Sequence, residues 1–386
     1  MHVLFLPKWY PGDEDPQLGD FLRRQALAAA RHATVSVLAV LPLHAPGSRT
    51  RQELHTADGA WELRCYYRQD QRLPLPLRRL VNLLRYRRAL LNGWHRVLRE
   101  RGKPDLLHAH ILLRTALVAW YLGWRHSIPW LFSEQGSGHI NGAFARRGAV
   151  VRTLGAWALR RARRVVAVSD HLGAALLRNG LCSAYAVVPN VVPALDRPLP
   201  PPGEAHHVVM VADLVDRVKG ISGVLRALAM VRRHEPAAQL TLVGGGPDRG
   251  MLEQCAASLG LQDHVRFLGQ LPNSGALDAI AGSGLLVVNS PVETFSVVTG
   301  EALALGKPVV ATRCGGPEAF VNDSNGVLVP VADDAALADA LLHVMRTHHR
   351  YDPAVLRAGV GGHYGYTAVG ERLYHLYRTI LSGDAR

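Results

Sequence analysis

The chain has 386 residues, 48% of them apolar and 19% charged. That length is comfortable for two hydrophobic cores, and the composition excludes a disordered or fibrous chain. Four scattered cysteines, Cys65, Cys182, Cys255 and Cys314, show no metal-type pairing and fit a reduced, cytoplasmic protein rather than a disulfide-built one. The net charge of +13 is uneven: residues 1–203 hold 29 Lys and Arg against 13 Asp and Glu, whereas residues 204–386 hold 15 against 18. The basic first half points to an acidic partner, whether a membrane surface, an anionic acceptor or nucleic acid. A codon bias is the alternative source, since only Lys8, Lys103, Lys219 and Lys307 are lysines among 44 basic residues. No recognition motif supports nucleic acid, so none is expected as a partner.

In chain order, the start lacks the basic segment and long apolar run of a signal peptide. Val3–Leu6 reads as a short strand, Gly19–Arg31 as a helix after the polar loop Pro11–Leu18, and Thr34–Val40 as a β-branched strand. Leu77–Arg101 has Leu77, Leu80, Val81, Leu84, Leu91, Trp94 and Leu98 at helical spacing, with arginines on the other faces. It reads as a core-packed helix with a solvated basic face; the alternative is a helix lying on an anionic membrane. Leu106–Ala109, Trp130–Ser133 and Val165–Val168 are further strands. Ile111–Trp124, interrupted by Arg114, is too short to span a bilayer and reads as a buried helix. Six prolines between Pro189 and Glu204 mark a stiff linker.

The strand–helix alternation then restarts. Val208–Val211, Leu240–Val243, Val265–Leu268, Leu285–Val288 and Pro308–Ala311 read as strands. Ser222–His234 reads as a helix, as does Pro247–Leu259, with its proline at the start. Repeated βα units on both sides of the linker predict two Rossmann-like domains of α/β class, with a cleft between the carboxyl ends of their sheets.

The sharpest chemical signal is Pro291-Val-Glu293-Thr-Phe-Ser-Val-Val-Thr-Gly-Glu301. On one continuous helix the two glutamates would stand about 12 Å apart and about 80° out of phase, too far to share one small group but able to hold the two ends of a long ligand. A hexose–diphosphate–ribose has that size. The β-branched run opened by Ser296 would start a helix after a strand, and its free amides could take a diphosphate without a metal. No acid–histidine spacing suggests a metal site. His108 and His110 alternate on a strand and are as readily packing residues as ligands.

This segment resembles the E-x7-E signature of the family 4 glycosyltransferases (glycosyl transferases group 1), retaining enzymes of GT-B fold. Asp213-Leu-Val-Asp-Arg217-Val-Lys219-Gly220, Leu242-Val-Gly-Gly-Gly-Pro-Asp248, Val265-Arg-Phe-Leu-Gly269 and Ala311-Thr-Arg-Cys-Gly-Gly-Pro-Glu318 resemble that family's donor-domain segments. Lys8-Trp-Tyr-Pro, Gly19-Asp-Phe-Leu-Arg-Arg-Gln25, Asp105-Leu-Leu-His108-Ala-His110 and Val188-Pro-Asn190-Val resemble its acceptor-domain segments and linker entry.

The resemblance implies two Rossmann-like domains facing each other across a cleft. Residues 1–188 would form the acceptor side, 189–203 the linker, 204–365 the nucleotide-sugar domain, and 366–386 a helix returning to the first domain. It implies that Lys219, helped by Arg217, pairs with donor phosphates, that Glu301 accepts ribose hydroxyls, and that Glu293 contacts the transferred sugar. Phe295, Ser296, Val297, Val298 and Thr299 would supply amides for the diphosphate, and Gly19 would let the first loop approach it. The implied activity is retaining, metal-independent transfer from a UDP- or GDP-sugar to a glycan or lipid-linked acceptor, with no cofactor. The protein would be cytoplasmic and peripheral on the inner face of the membrane. Two positions depart from the family. Asp213 stands where an arginine is common, and Gln135 stands where a histidine is common, leaving Glu134 or His139 to compensate. These departures keep open a nucleotide-sugar-binding protein with weak or no transfer, and a GT-B epimerase is a further alternative.

Overall fold

A computed structural model describes residues 1–45, 47–56 and 59–383. It divides the chain into two compact units, one formed by Met1–Val191 with the segment from Tyr366 onward, the other by Val192–Gly365.

The first unit runs β1 (His2–Pro7), α1 (Asp20–Ala30), β2 (Thr34–Leu43), β3 (Arg51–His55), β4 (Ala60–Arg68), α2 (Leu75–Arg101), β5 (Leu106–His110), α3 (Arg114–His126), β6 (Trp130–Glu134), α4 (Ala149–Leu159), β7 (Val165–Ala167), α5 (Asp170–Arg178) and β8 (Ala186–Val187). Its sheet has the order β3-β4-β2-β1-β5-β6-β7-β8. All pairings are parallel except β3 on β4. β5 and β6 are buried along their whole length, as strands covered by helices on both faces must be. β3 and β4 escape the apolar pattern because charge is built into them. Glu62 is fully buried on β4 and is neutralised by Arg23 at 2.9 Å and Arg64 at 3.2 Å.

The second unit runs β9 (Glu204–Val211), α6 (Asp216–Lys219), α7 (Ile221–Val231), β10 (Gln239–Val243), α8 (Arg249–Ser258), β11 (Val265–Gly269), α9 (Asn273–Ala281), β12 (Ser283–Val288), α10 (Val297–Ala304), β13 (Val309–Thr312), β14 (Gly326–Val329), α11 (Asp334–Arg346) and α12 (Pro353–Tyr364). Its six strands are parallel in the order β11-β10-β9-β12-β13-β14, the doubly wound arrangement of a Rossmann sheet. Val208, Leu240, Leu242, Leu285 and Val310 pack with Leu225, Leu228, Leu337 and Leu341 in its core. α8 begins at Arg249, two residues after Pro247, because Asp248 stands at the cap and its carboxylate takes the Asp216 amide at 2.8 Å. The proline stretch between the units contains one 3-10 turn, Pro193–Asp196.

The last helix, α13 (Tyr366–Ser382), belongs to the first unit and packs against α1. Val369, Leu373, Tyr377 and Ile380 enter that unit's core. Tyr377 also places its hydroxyl 2.8 Å from His108 Nδ1.

The long helix α2 corrects the expected packing. Its buried residues are Tyr86, Ala89, Leu90, Gly93, Trp94 and Val97, all from its twelfth residue onward. Leu75, Leu77, Leu80, Leu83 and Leu84 are 47% to 56% exposed. Of the seven apolar positions assigned to a core stripe, only Trp94 is fully buried; Leu77, Leu80 and Leu84 are exposed, and Val81, Leu91 and Leu98 are half-buried. Among the described residues no helix is long and apolar enough to cross a membrane.

The α1–α13 crossing depends on a glycine. A Cβ on Gly370 would stand 2.2 Å from the Ala28 carbonyl oxygen. Gly370→Val is expected to lower the unfolding free energy by about 1–3 kcal/mol, read as an earlier urea midpoint; an unchanged midpoint would contradict the close crossing.

Candidate functional site

In the second unit the strand order reverses between β9 and β12, whose following loops rise side by side. The β9 loop ends in α6 and carries Lys219. The β12 loop carries Asn289, Ser290 and Glu293. Gly220 (φ 63°) joins the two, since a Cβ there would lie 2.4 Å from the Asn289 carbonyl oxygen. Asn289 Nδ2 in turn donates to the Gly220 carbonyl at 2.7 Å. Close backbone approach at this crevice requires glycine and leaves no room for a substitute.

Lys219 Nζ donates to Glu293 Oε1 at 2.6 Å, and Ser290 Oγ donates to the same oxygen at 2.7 Å. Glu293 does not lie on the helix with Glu301. Its backbone is extended and bridged to Gly315, with its amide on the Cys314 carbonyl at 2.9 Å and its carbonyl accepting the Gly316 amide at 2.9 Å. The two are a loop acid and a helix acid: the chain turns at Ser296 (φ 64°), where the helix was expected to open, and α10 begins at Val297. Glu301 is 5% exposed in α10, with Asn273 Nδ2 3.2 Å from its Oε1. Ser296 Oγ and Thr299 Oγ1 share a hydrogen bond of 2.8 Å, and the Thr299 amide is taken by the Ser296 carbonyl at 3.1 Å. Val297 and Val298 head the helix with no earlier turn to accept their amides. Phe295 is buried against Phe320 and Tyr364, which makes it a packing anchor for the loop.

Arg217 is exposed on α6 and meets no hydrogen-bond partner among the described residues, while Asp213 is exposed where the resemblance led one to expect an arginine. Cys314 lies beside Glu293, but burial and the Glu293 and Glu318 carboxylates push its thiol up to about 11, which removes it as a nucleophile. Asn273 and Ser290 carry no motif signal; only their contacts to the two glutamates identify them.

The first unit repeats the arrangement. Its strand order reverses between β1 and β5. Lys8 and Trp9 follow β1, Ile111 and Leu112 follow β5, and Glu134 closes β6. Glu134 Oε1 accepts the amides of Gln135 and Gly136, each at 2.9 Å, and Oε2 accepts the Leu112 amide and His139 Nε2, each at 3.1 Å. Burial raises its pKa, but the hydrogen bonds from His139, Gly136 and Gln135 outweigh that effect and hold the carboxyl below its ordinary range. Gln135 is drawn away from His139: its Nε2 donates to Gln25 Oε1 at 3.0 Å, and Gln25 donates to the Pro189 carbonyl at 3.1 Å. Gly19 (φ 70°) is required locally, since a Cβ would stand 2.5 Å from the Trp9 carbonyl group. His108 and His110 both pack against Phe5, His110 stacked and His108 tilted with its other side edge-on to Tyr377, and burial lowers the His110 pKa to about 3. No group of three or more metal-ligating side chains occurs among the described residues.

With the geometry in view, the comparisons decide the family. Residues 205–347 match the glycosyl transferases group 1 and residues 22–191 the glycosyl transferase 4-like domain. A D-inositol 3-phosphate glycosyltransferase of Frankia alni is 30% identical over 319 residues, covering 74% of this chain and 77% of that protein. The chain belongs to the group 1 glycosyltransferases. Sucrose-phosphate synthase from Thermosynechococcus elongatus superposes with a TM-score of 0.77 at 21% identity, covering 99% of this chain and 100% of that one. Anabaena Alr3699/HepE, solved with UDP, gives 0.73 at 19% identity, covering 98% and 100%. These likenesses establish the GT-B fold. The chain spans 34% to 77% of the length of the curated relatives it matches.

Because the folded-state pKa of Glu134 is depressed, its contribution to stability is present above the unfolded-state carboxylate pKa and is lost as pH falls through the folded value. The melting-temperature gap between the natural chain and Glu134→Gln is therefore expected to be widest near neutral pH and to shrink on acidification. A gap independent of pH would contradict the buried carboxylate.

Proposed function

We propose that the protein transfers a sugar from a nucleotide-sugar donor, held by the second unit without a metal, to a glycan or lipid-linked acceptor, with retention of configuration. The observation that carries this reading is the junction of Lys219, Glu293 and the head of α10 at the reversal of a Rossmann sheet. Open α/β sheets bind ligands at such a reversal. Departure of a nucleoside diphosphate builds negative charge on its phosphates, and a lysine with unpaired helix amides is suited to stabilise it.

The Lys219–Glu293 pair adds a consequence. A diphosphate that takes Lys219 displaces Glu293 from it, freeing the carboxylate to accept sugar hydroxyls as the donor seats. Glu301, one turn into α10, is the acceptor for the ribose hydroxyls. The family membership and the UDP bound by Alr3699/HepE support a uridine or similar donor.

A metal-free screen of nucleotide sugars by thermal shift, with donor hydrolysis as readout, tests the reading. One donor should stabilise the natural chain, and Glu301→Ala should lose that stabilisation. Binding without turnover in the presence of candidate acceptors would favour the nucleotide-sugar-binding alternative that Asp213 and Gln135 raise, and no donor binding would overturn both.

The exposed half of α2 supports attachment to the cytoplasmic face of an anionic membrane. Between Gln71 and Arg99 the chain has eight arginines and no acid. Bare leucines interspersed with cations suit a helix lying in a headgroup layer. The natural chain should float with vesicles containing phosphatidylglycerol, and Leu80→Glu with Leu83→Glu should abolish flotation without lowering the melting temperature. Equal flotation of the variant would sink this attachment.

A further inference from the structure

The reversal of the first sheet encloses a pocket of about 200 Å³, lined in part by Lys8, Trp9, Glu134, His139, Phe144 and Arg147. Its volume falls below the roughly 300 Å³ at which pockets begin to take drug-sized ligands, so it suits one small group rather than an oligosaccharide.

The charges in this pocket do not balance. Its single acid, Glu134, has both oxygens occupied by three amides and His139. Neither Lys8 nor Arg147 makes a side-chain hydrogen bond or ion pair among the described residues. Partial burial lowers the Lys8 pKa, with Arg147 and Arg114 adding to the shift and Glu134 opposing it, so the ammonium, on a residue still open to solvent, has like charge near.

Donors without acceptors complete the picture. Among the described residues the amides of Ser137 and Gly138, which open the 3-10 turn Ser137–His139, meet no acceptor. The His139 side chain is 6% exposed, its Nε2 is held on Glu134, and its Nδ1 is left without a partner. Two cations from separate loops, together with a pair of free amides, converge as a concave anion cradle. A planar carboxylate would be satisfied by one arginine fork, whereas donors from several directions suit a tetrahedral anion. Trp9 and Phe144 add apolar walls for the ring or chain that bears it.

We propose that this pocket is a subsite for a phosphoryl group carried by the acceptor, held by Lys8, Arg147 and the amides of Ser137 and Gly138. The inference rests on the transferase reading only in taking the first unit as the acceptor side.

Titration calorimetry with inorganic phosphate and with glycerol 1-phosphate tests it on the full chain, without donor. The Lys219→Ala background removes the lysine assigned to donor phosphates, and the loss caused there by substitutions at Lys8 and Arg147 assigns the binding to the first unit. Both probes should bind the Lys219→Ala chain. Adding Lys8→Gln and Arg147→Gln should weaken binding by about tenfold or more, and each alone should weaken it in part. Both side chains are at exposed positions, so the melting temperature without phosphate should hold and confirm that the variants fold. Absence of binding to the Lys219→Ala chain, or equal binding after both glutamine substitutions, would overturn the subsite. In the natural chain presaturated with UDP, phosphate should still bind; displacement by UDP would assign the phosphoryl group to the donor and overturn the acceptor assignment. Failure of donor binding would leave the Lys219→Ala titration readable, so the two proposals fail separately.

Discussion

Parallel strands whose connections depart in opposite directions cannot be bridged by one loop at their carboxyl ends, and a crevice opens between them. Each unit has one such place: between β1 and β5 in the first, and between β9 and β12 in the second. The polar chemistry collects there. Lys219 and Glu293 meet across the second crevice because their loops leave adjacent strands, and Gly220 lets the loops touch. Lys8 and Glu134 come together around the first crevice by the same geometry. The helices, cores and caps hold these loops at fixed height; the chemistry is confined to a few residues after each strand.

The two crevices differ in their electrostatics. In the second, the lysine and the acid neutralise each other until a ligand intervenes, and Ser290 and Asn273 orient the two glutamates. A site of this kind keeps its charges paired when empty, avoiding the cost of a partly buried ion without a partner. In the first, the acid is consumed by its own loop, which leaves cations facing the pocket. This surplus is one local expression of the excess of base in residues 1–203. The arginines of α2 are another, and they flank leucines that no core covers.

The alternation of strands and helices, the proline-rich junction and the E-x7-E segment were legible in the sequence because each rests on periodicity or on residues with one dominant backbone role. β4 was not, because Glu62 and Arg64 interrupt its apolar run, and their neutralisation by Arg23 and by each other is a tertiary fact. The bare leucines of α2 were hidden for the opposite reason: helical spacing shows which residues share a face but not whether anything lies against it. Ser296 was read as the opening of the helix and stands at its cap, but the left-handed turn there, unusual for a residue other than glycine, was not legible. Asn273, Ser290 and Arg147 carry no local signal at all. Their relevance comes from what the fold brings beside them.

Hydrogen exchange of the full chain, with and without the nucleotide sugar that stabilises it, addresses the central claim most directly, because it maps the donor onto the backbone. The account predicts slowed exchange in residues 215–220 and 293–301, where the β9 loop and the head of α10 meet the diphosphate. Protection confined to other segments, with these amides unchanged, would contradict a donor site at the reversal of the second sheet.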